Sequence, residues 1–146
     1  MSRGKASIRD VVITTEAPLG SVAQIDYEGM ALAQRVIKYR GKENILLNDF
    51  LKQSLMSHYF QKLIHAESTG STVKGIKGSR LHKQLLLIPD LREQEAIATI
   101  ILQQESIIAN EQQFLDKEKE IKQGLMQDLL TGKKEVTPNP EDFKRE

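Results

Sequence analysis

Apolar residues along this chain follow three rhythms, and each predicts a different element. Near the start, Val11, Val12, Ile13, Thr14 and Thr15 are β-branched in succession and read as a strand, because side chains branched at Cβ pack well on a pleated surface. Ala17-Pro18-Leu19-Gly20 then predicts a turn. Ser21 to Tyr27, with Val22 and Ile25, reads as a second short strand, and Ala33 to Tyr39, with Val36, Ile37 and Tyr39, as a third that stops before Gly41. From Phe50 the rhythm changes. Phe50, Leu51, Leu55, Tyr59, Leu63 and Ile64 recur at helical spacing behind Asn48, so one helix is expected over Asp49–Ala66 with Asn48 as its N-cap. Ser68 to Thr72 is loop material, Val73 to Ile76 a brief strand, and Gln84 to Ile88 an apolar strand stopped by Pro89.

The third rhythm fills the last third of the chain. From Leu91 there is no proline before Pro138, and Gly132 is the expected stop. Residues 93–130 as one helix would make a rod of about 55–60 Å. Ile100, Ile107, Phe114 and Ile121 recur every seven residues, flanked by Ile97, Ile101, Ile108 and Leu115, while Gln104, Glu111 and Glu118 keep the apolar stripe narrow. A narrow stripe with that period suits pairing with one other helix. The fold class expected is α+β: a small mixed sheet with one packed helix, then a long C-terminal helix forming an intermolecular coiled-coil-like pair. The divisions are residues 1–90, the helix 91–132, and a charged, proline-containing mobile tail 133–146.

Composition narrows the chemistry. The 146 residues hold no Cys and no Trp, which excludes a disulfide framework and thiolate metal sites and makes the cytoplasm the expected location. No apolar run reaches the ~18 residues of a membrane span, and the N-terminus lacks the apolar core of a signal peptide. The net charge of +1 hides an asymmetry: residues 1–90 carry 13 Lys and Arg against 8 Asp and Glu, whereas residues 91–146 carry 8 against 12. The basic half is the candidate for a polyanion partner.

Two stretches concentrate that charge. Gly29 to Lys42 has no acidic residue and holds Arg35, Lys38, Arg40 and Lys42; Ser68 to Pro89 has none either and holds Lys74, Lys77, Arg80 and Lys83. Lysine and arginine displace counterions from a phosphate backbone, and the hydroxyls of Ser71, Thr72 and Ser79 suit contacts that fix register. Arg35, Lys38, Arg40, Lys74, Lys77, Arg80 and Lys83 are therefore the expected phosphate contacts, and Gln34 or Arg35 the residues that reach base edges. Catalytic signatures are missing: the chain has no nucleotide-binding glycine loop and no Asn/Asp-Pro-Pro-aromatic motif. His58 and His65 lie on one predicted helix without a carboxylate partner and read as surface residues. His82 sits in a basic loop, where it either assists anion binding or is a neutral surface side chain. No metal and no cofactor are expected.

Three segments carry a resemblance. TTEAPLGSVAQID, GSTVKGIKGSRLHKQLLLIPDLREQEAIATI and GLMQDLLTGK look like the C-terminal part of the specificity subunit of type I restriction-modification systems, over about Val11 to Lys133. The junction Ile88, Pro89, Leu91, Glu93, Gln94, Ile97 and Ala98 is its most specific part. The resemblance implies a non-catalytic module that binds double-stranded DNA, docks modification (methyltransferase) subunits and, through them, a restriction subunit. In that family two recognition domains are each followed by a long helix, and the helices pair antiparallel as a ruler between half-sites. With one such helix, this chain is expected to form a homodimer through Ile97, Ile100, Ile101, Ile107, Ile108, Phe114, Leu115 and Ile121, since antiparallel pairing of identical helices closes a two-fold. The stretch before the TTEAPLG segment is shorter than in the family, so residues 1–90 are expected to be a truncated target-recognition domain. The alternative is a protein-interaction remnant that dimerises through the helix and scaffolds or competes for the modification subunit without touching DNA.

Overall fold

The computed structural model describes residues 6–70 and 74–137. In chain order it contains strands β1 (Val11–Thr14), β2 (Val22–Gln24) and β3 (Val36–Tyr39) and helices α1 (Asn48–Met56), α2 (His58–Ala66), α3 (Gly78–Leu81) and α4 (Leu91–Leu130). The chain divides into two compact units between Leu102 and Gln103, within the sequence of α4.

The first unit is built on a three-stranded sheet in the order β2-β1-β3, with β1 antiparallel to both neighbours. Its pairings are all antiparallel, and β3 adds to the side of β1 opposite β2, within the α+β class expected. Along β1, Val11 and Ile13 are fully buried while Val12 and Thr14 are only partly covered, the period-two alternation of a sheet with one face on the core. Those two residues join Leu51, Leu55, Phe60, Ile64, Ile76 and Leu81 in the core, with Leu19, Val22, Ile37, Tyr39, Leu46 and Leu86 packed around them. Each fully buried aliphatic or aromatic side chain contributes on the order of 1.5–3 kcal/mol.

Three sequence expectations change. The single helix over Asp49–Ala66 is two helices, because Ser57 takes φ −58° and ψ 144° and its Oγ accepts from the Phe60 N–H to start α2 afresh. Gln61 spans the break: its Nε2 donates to the Leu55 carbonyl at 2.8 Å and to the Gly20 carbonyl at 2.9 Å. Gly20, at φ +84°, has no room for a Cβ between Gln61 and Ile64, so the β1–β2 turn is fitted to the helix pair. Asn48 is the first residue of α1 and not its cap; its Oδ1 accepts from the Gly41 N–H at 2.7 Å and closes the loop after β3. The third change is at Gln84–Ile88, where no strand forms. Only Leu86 turns to the core, while Leu85, Leu87 and Ile88 are exposed, so the apolar run marks a surface rather than a buried strand.

The start of α4 is anchored by side chains. Asp90 Oδ1 accepts from the Glu93 N–H at 3.0 Å, as an N-cap does, and Asp90 O from the Gln94 N–H. Gln94 is completely buried. Its Oε1 accepts from the Leu47 N–H at 2.9 Å, and its Nε2 donates to the Ile45 and Pro89 carbonyls, both at 2.8 Å. The 40-residue helix ends at Leu130, and Gly132 at φ +71° supplies the left-handed residue that commonly follows a helix C-terminus. In the second unit, Ile107, Ile108, Phe114, Leu115 and Ile121 are all about half exposed or more, as are Leu125 and Met126. The expected tail lies outside the described residues from 138 onward.

Candidate nucleic-acid interface

The two acid-free stretches are neighbours in the fold. Gly75 forms isolated antiparallel bridges to both Glu16 and Thr69, and the Ile76 N–H donates to the Thr15 carbonyl at 3.0 Å. Thr15 in turn donates through its N–H (2.8 Å) and its Oγ1 (2.9 Å) to the Arg35 carbonyl. On the other side, the Tyr39 hydroxyl and His82 Nδ1 are 2.9 Å apart, with the rings edge to face at 5.6 Å. Burial pushes the Tyr39 phenol up to about 12, so it stays protonated. Arg35, Lys74, Lys77, Arg80 and Lys83 thus belong to one assembly of β3, the residue before it, and residues 69–70 and 74–83. His82 acts here as a link between segments. Ser71 and Thr72, expected hydroxyl donors, lie outside the described residues.

The basic residues fall into two groups. Every arginine of the two stretches is held by a carboxylate from elsewhere in the chain. Arg40 and Lys38 share Asp10: Arg40 Nε and Nη2 donate to its two oxygens at 2.6 and 2.8 Å, and Lys38 Nζ lies 3.2 Å away. The register explains this, because Val11 faces Tyr39 and the preceding Asp10 therefore comes beside Arg40. Asp10 is solvent-inaccessible. The Arg40 hydrogen bonds, helped by the Ser7 N–H and Lys38, hold its carboxyl well below the usual carboxylate range against the opposing effect of burial. Lys38 and Arg40, both expected phosphate contacts, are therefore bound up with a buried anion. Arg35 Nη1 meets Glu16 Oε2 at 2.8 Å, and Arg80 Nη1 meets Glu67 Oε2 at 3.3 Å, both pairs near the surface.

Lys74, Lys77 and Lys83 form the second group: they are exposed, as is Gln34, and none of the three has an ion pair among the described residues. Asp10, Glu16, Glu67 and Gln94 were not picked out as site residues from the sequence. Asp10, Glu16 and Glu67 lie 13 or more residues from the cations they meet, and Gln94 reaches from α4 to the loop before α1, so no local pattern marks them. His58 and His65 are exposed on α2, and no cluster of His, Cys, Asp or Glu suited to a metal occurs among the described residues. Among the same residues no helix is long and apolar enough to cross a membrane. Of the expected helix seam, Ile97 and Ile101 line a groove of the first unit with Phe50, Gln53, Leu86 and Leu87, while Ile100 is exposed.

A small antiparallel sheet backed by helices, and a long terminal helix, are the elements that the described residues form. The model of the type I restriction modification DNA specificity domain matches residues 5–123, and the chain belongs to that family. Its fold is similar to that of the crystal structure of the type I restriction-modification system S subunit from M. genitalium, with a TM-score of 0.65 and 18% identity. The match covers 85% of this chain and 33% of that one, so the chain spans about a third of the length of the solved subunit.

Proposed function

We propose that this chain is a DNA-specificity element of a type I restriction-modification complex. It binds double-stranded DNA through the face that joins the two acid-free stretches and docks methyltransferase subunits, with a restriction subunit reached through them. The reading rests on one observation beyond family membership: segments far apart in sequence converge to leave Lys74, Lys77 and Lys83 exposed beside Arg35 and Arg80. On this reading residues 1–90 are the recognition domain, 91–132 the spacer and dimerisation helix, and 133–146 a tail. Gln34 is the exposed amide available for an adenine edge. The chain supplies no catalytic group of its own and works in the cytoplasm, where its DNA is.

Charge reversal at Lys74 and Lys77 together is expected to weaken duplex binding by about tenfold or more at low salt and to flatten the salt dependence by about two contacts at a slope of ~0.9 each. Titrations of a labelled duplex at several salt concentrations check this. Unchanged affinity and slope would remove the 74–83 segment from the interface. A second reading, an assembly element that pairs through α4 without touching DNA, is favoured by the commitment of Arg35, Lys38, Arg40 and Arg80 to carboxylates and by the exposed seam of α4. The same titration separates the two, because that element would show no salt-dependent duplex binding.

A further inference from the structure

We propose that Glu16 and Glu67 set specificity by occupying Arg35 and Arg80 in the unbound protein, standing where DNA phosphates would stand, so that mixed-sequence DNA meets only the lysines of this face. The proposal rests on the DNA-binding reading above. Both arginines come from stretches without a single acidic residue, and each has a carboxylate brought to it by the fold from outside its own stretch.

The Arg35 pair is constructed on both sides. Arg35 is held at φ +68°, an uncommon conformation for a residue with a side chain, and its carbonyl is fixed by both donors of Thr15. Glu16 has its place because residue 75 is glycine: a Cβ there would lie 2.6 Å from the Glu16 Cγ. Arg80 Nη1 also reaches the main-chain oxygen of Glu67 at 3.4 Å, at the residue that ends α2, where the helix dipole favours a cation. The two pairs flank one patch, since Gly75 bridges both Glu16 and Thr69, the latter two residues after Glu67.

A guanidinium in such a pair contributes to polyanion binding only after leaving its carboxylate. Weak contacts do not compensate for that exchange, whereas a phosphate held in place by base contacts nearby does. Both pairs are partly exposed, with side chains at 64% and 36% for Arg35 and Glu16 and 51% and 49% for Arg80 and Glu67. Pairs of this kind are worth little to folding, so their removal tests binding without unfolding the chain.

The experiment measures affinity of the full chain for a short duplex of mixed sequence across a salt series, with Glu16→Gln, Glu67→Gln and, as a charge control on α4, Glu95→Gln. Each of the first two is expected to raise affinity about two- to fivefold and to steepen the log–log salt slope by up to about 0.9, one phosphate contact. Glu95→Gln is expected to change neither. In an Arg35→Gln background the gain from Glu16→Gln is expected to vanish, since residues that act through one contact are not additive. A gain equal to that of Glu95→Gln, or one that persists without Arg35, would overturn the proposal. Charge reversal at Lys74 and Lys77 in the same series keeps the two readings apart. Loss of affinity there with no response to the Gln variants refutes only this inference, whereas no lysine dependence refutes the DNA-binding reading itself.

Discussion

Replacing Gln94 by Leu is expected to destabilise the globular unit by about 2–5 kcal/mol, among the largest losses any single substitution on α4 can cause. The substitution keeps the side-chain size nearly constant but leaves three main-chain groups without a partner: the N–H of Leu47 and the carbonyls of Ile45 and Pro89. A buried donor or acceptor stripped of its hydrogen bond costs ~1–3 kcal/mol, and Ile45, about half exposed, is where water can recover part of it. Gln94→Glu is expected to be comparably damaging, because a carboxylate still accepts from Leu47 but offers no donor to either carbonyl and carries a charge into a buried site. Urea or thermal unfolding of both variants checks the result. A loss below about 1 kcal/mol for Gln94→Leu would show that the amide does not clamp the first turn of α4 to the loop before α1.

The second large effect concerns association. Ile107→Asp combined with Phe114→Asp is expected to convert a dimer to a monomer across the micromolar range, read as mass by light scattering over a dilution series. Phe114 is 61% exposed and Ile108 60%, an unusual amount of apolar surface to leave in water along consecutive turns. If two copies pair antiparallel with the axis at Phe114, Ile107 of one meets Ile121 of the other, because the two lie equally far on either side. The two-fold repeats each substitution, so four apolar contacts become buried or rim carboxylates. At ~1.5–3 kcal/mol for each lost side chain and 1.4 kcal/mol per tenfold, the dissociation constant should rise by roughly 10³-fold or more. A wild-type chain already monomeric at high concentration, or a double variant that keeps the dimer mass, would contradict the helix pair.

Much of this architecture was legible in the order of residues, and the failures have common causes. The β-branched run at Val11 to Thr14 and the proline-free stretch after Leu91 carry strong local signals, so β1 and α4 fall where their patterns put them. The break at Ser57 was hidden, because the apolar spacing from Phe50 to Ile64 continues through it, and only the cap by Ser57 and the bridge by Gln61 show that the chain restarts. The run Gln84 to Ile88 misled in the opposite way. Apolar composition predicts burial only where a partner surface exists, and here Leu86 alone finds one.

The candidate interface was half visible. Acid-free stretches can be read directly, and Lys74, Lys77 and Lys83 stay exposed as expected. Pairing across the sheet cannot be read that way: Asp10 meets Arg40 because Val11 faces Tyr39, and a shift of one residue would have sent those side chains to opposite faces. Glu16 and Glu67 reach Arg35 and Arg80 through contacts around Gly75 and the end of α2, which no local pattern announces. The sequence shows where basic residues concentrate, and the fold shows which of them are paired with carboxylates.

The most direct test of DNA reading by a paired chain is a map of adenine methylation in cells that express the cognate modification subunit, with and without this chain. The account predicts a bipartite motif with inverted-repeat halves that appears only when the chain is present and disappears with Ile107→Asp and Phe114→Asp. Methylation that is absent in every case, or whose motif is indifferent to the chain, would contradict it.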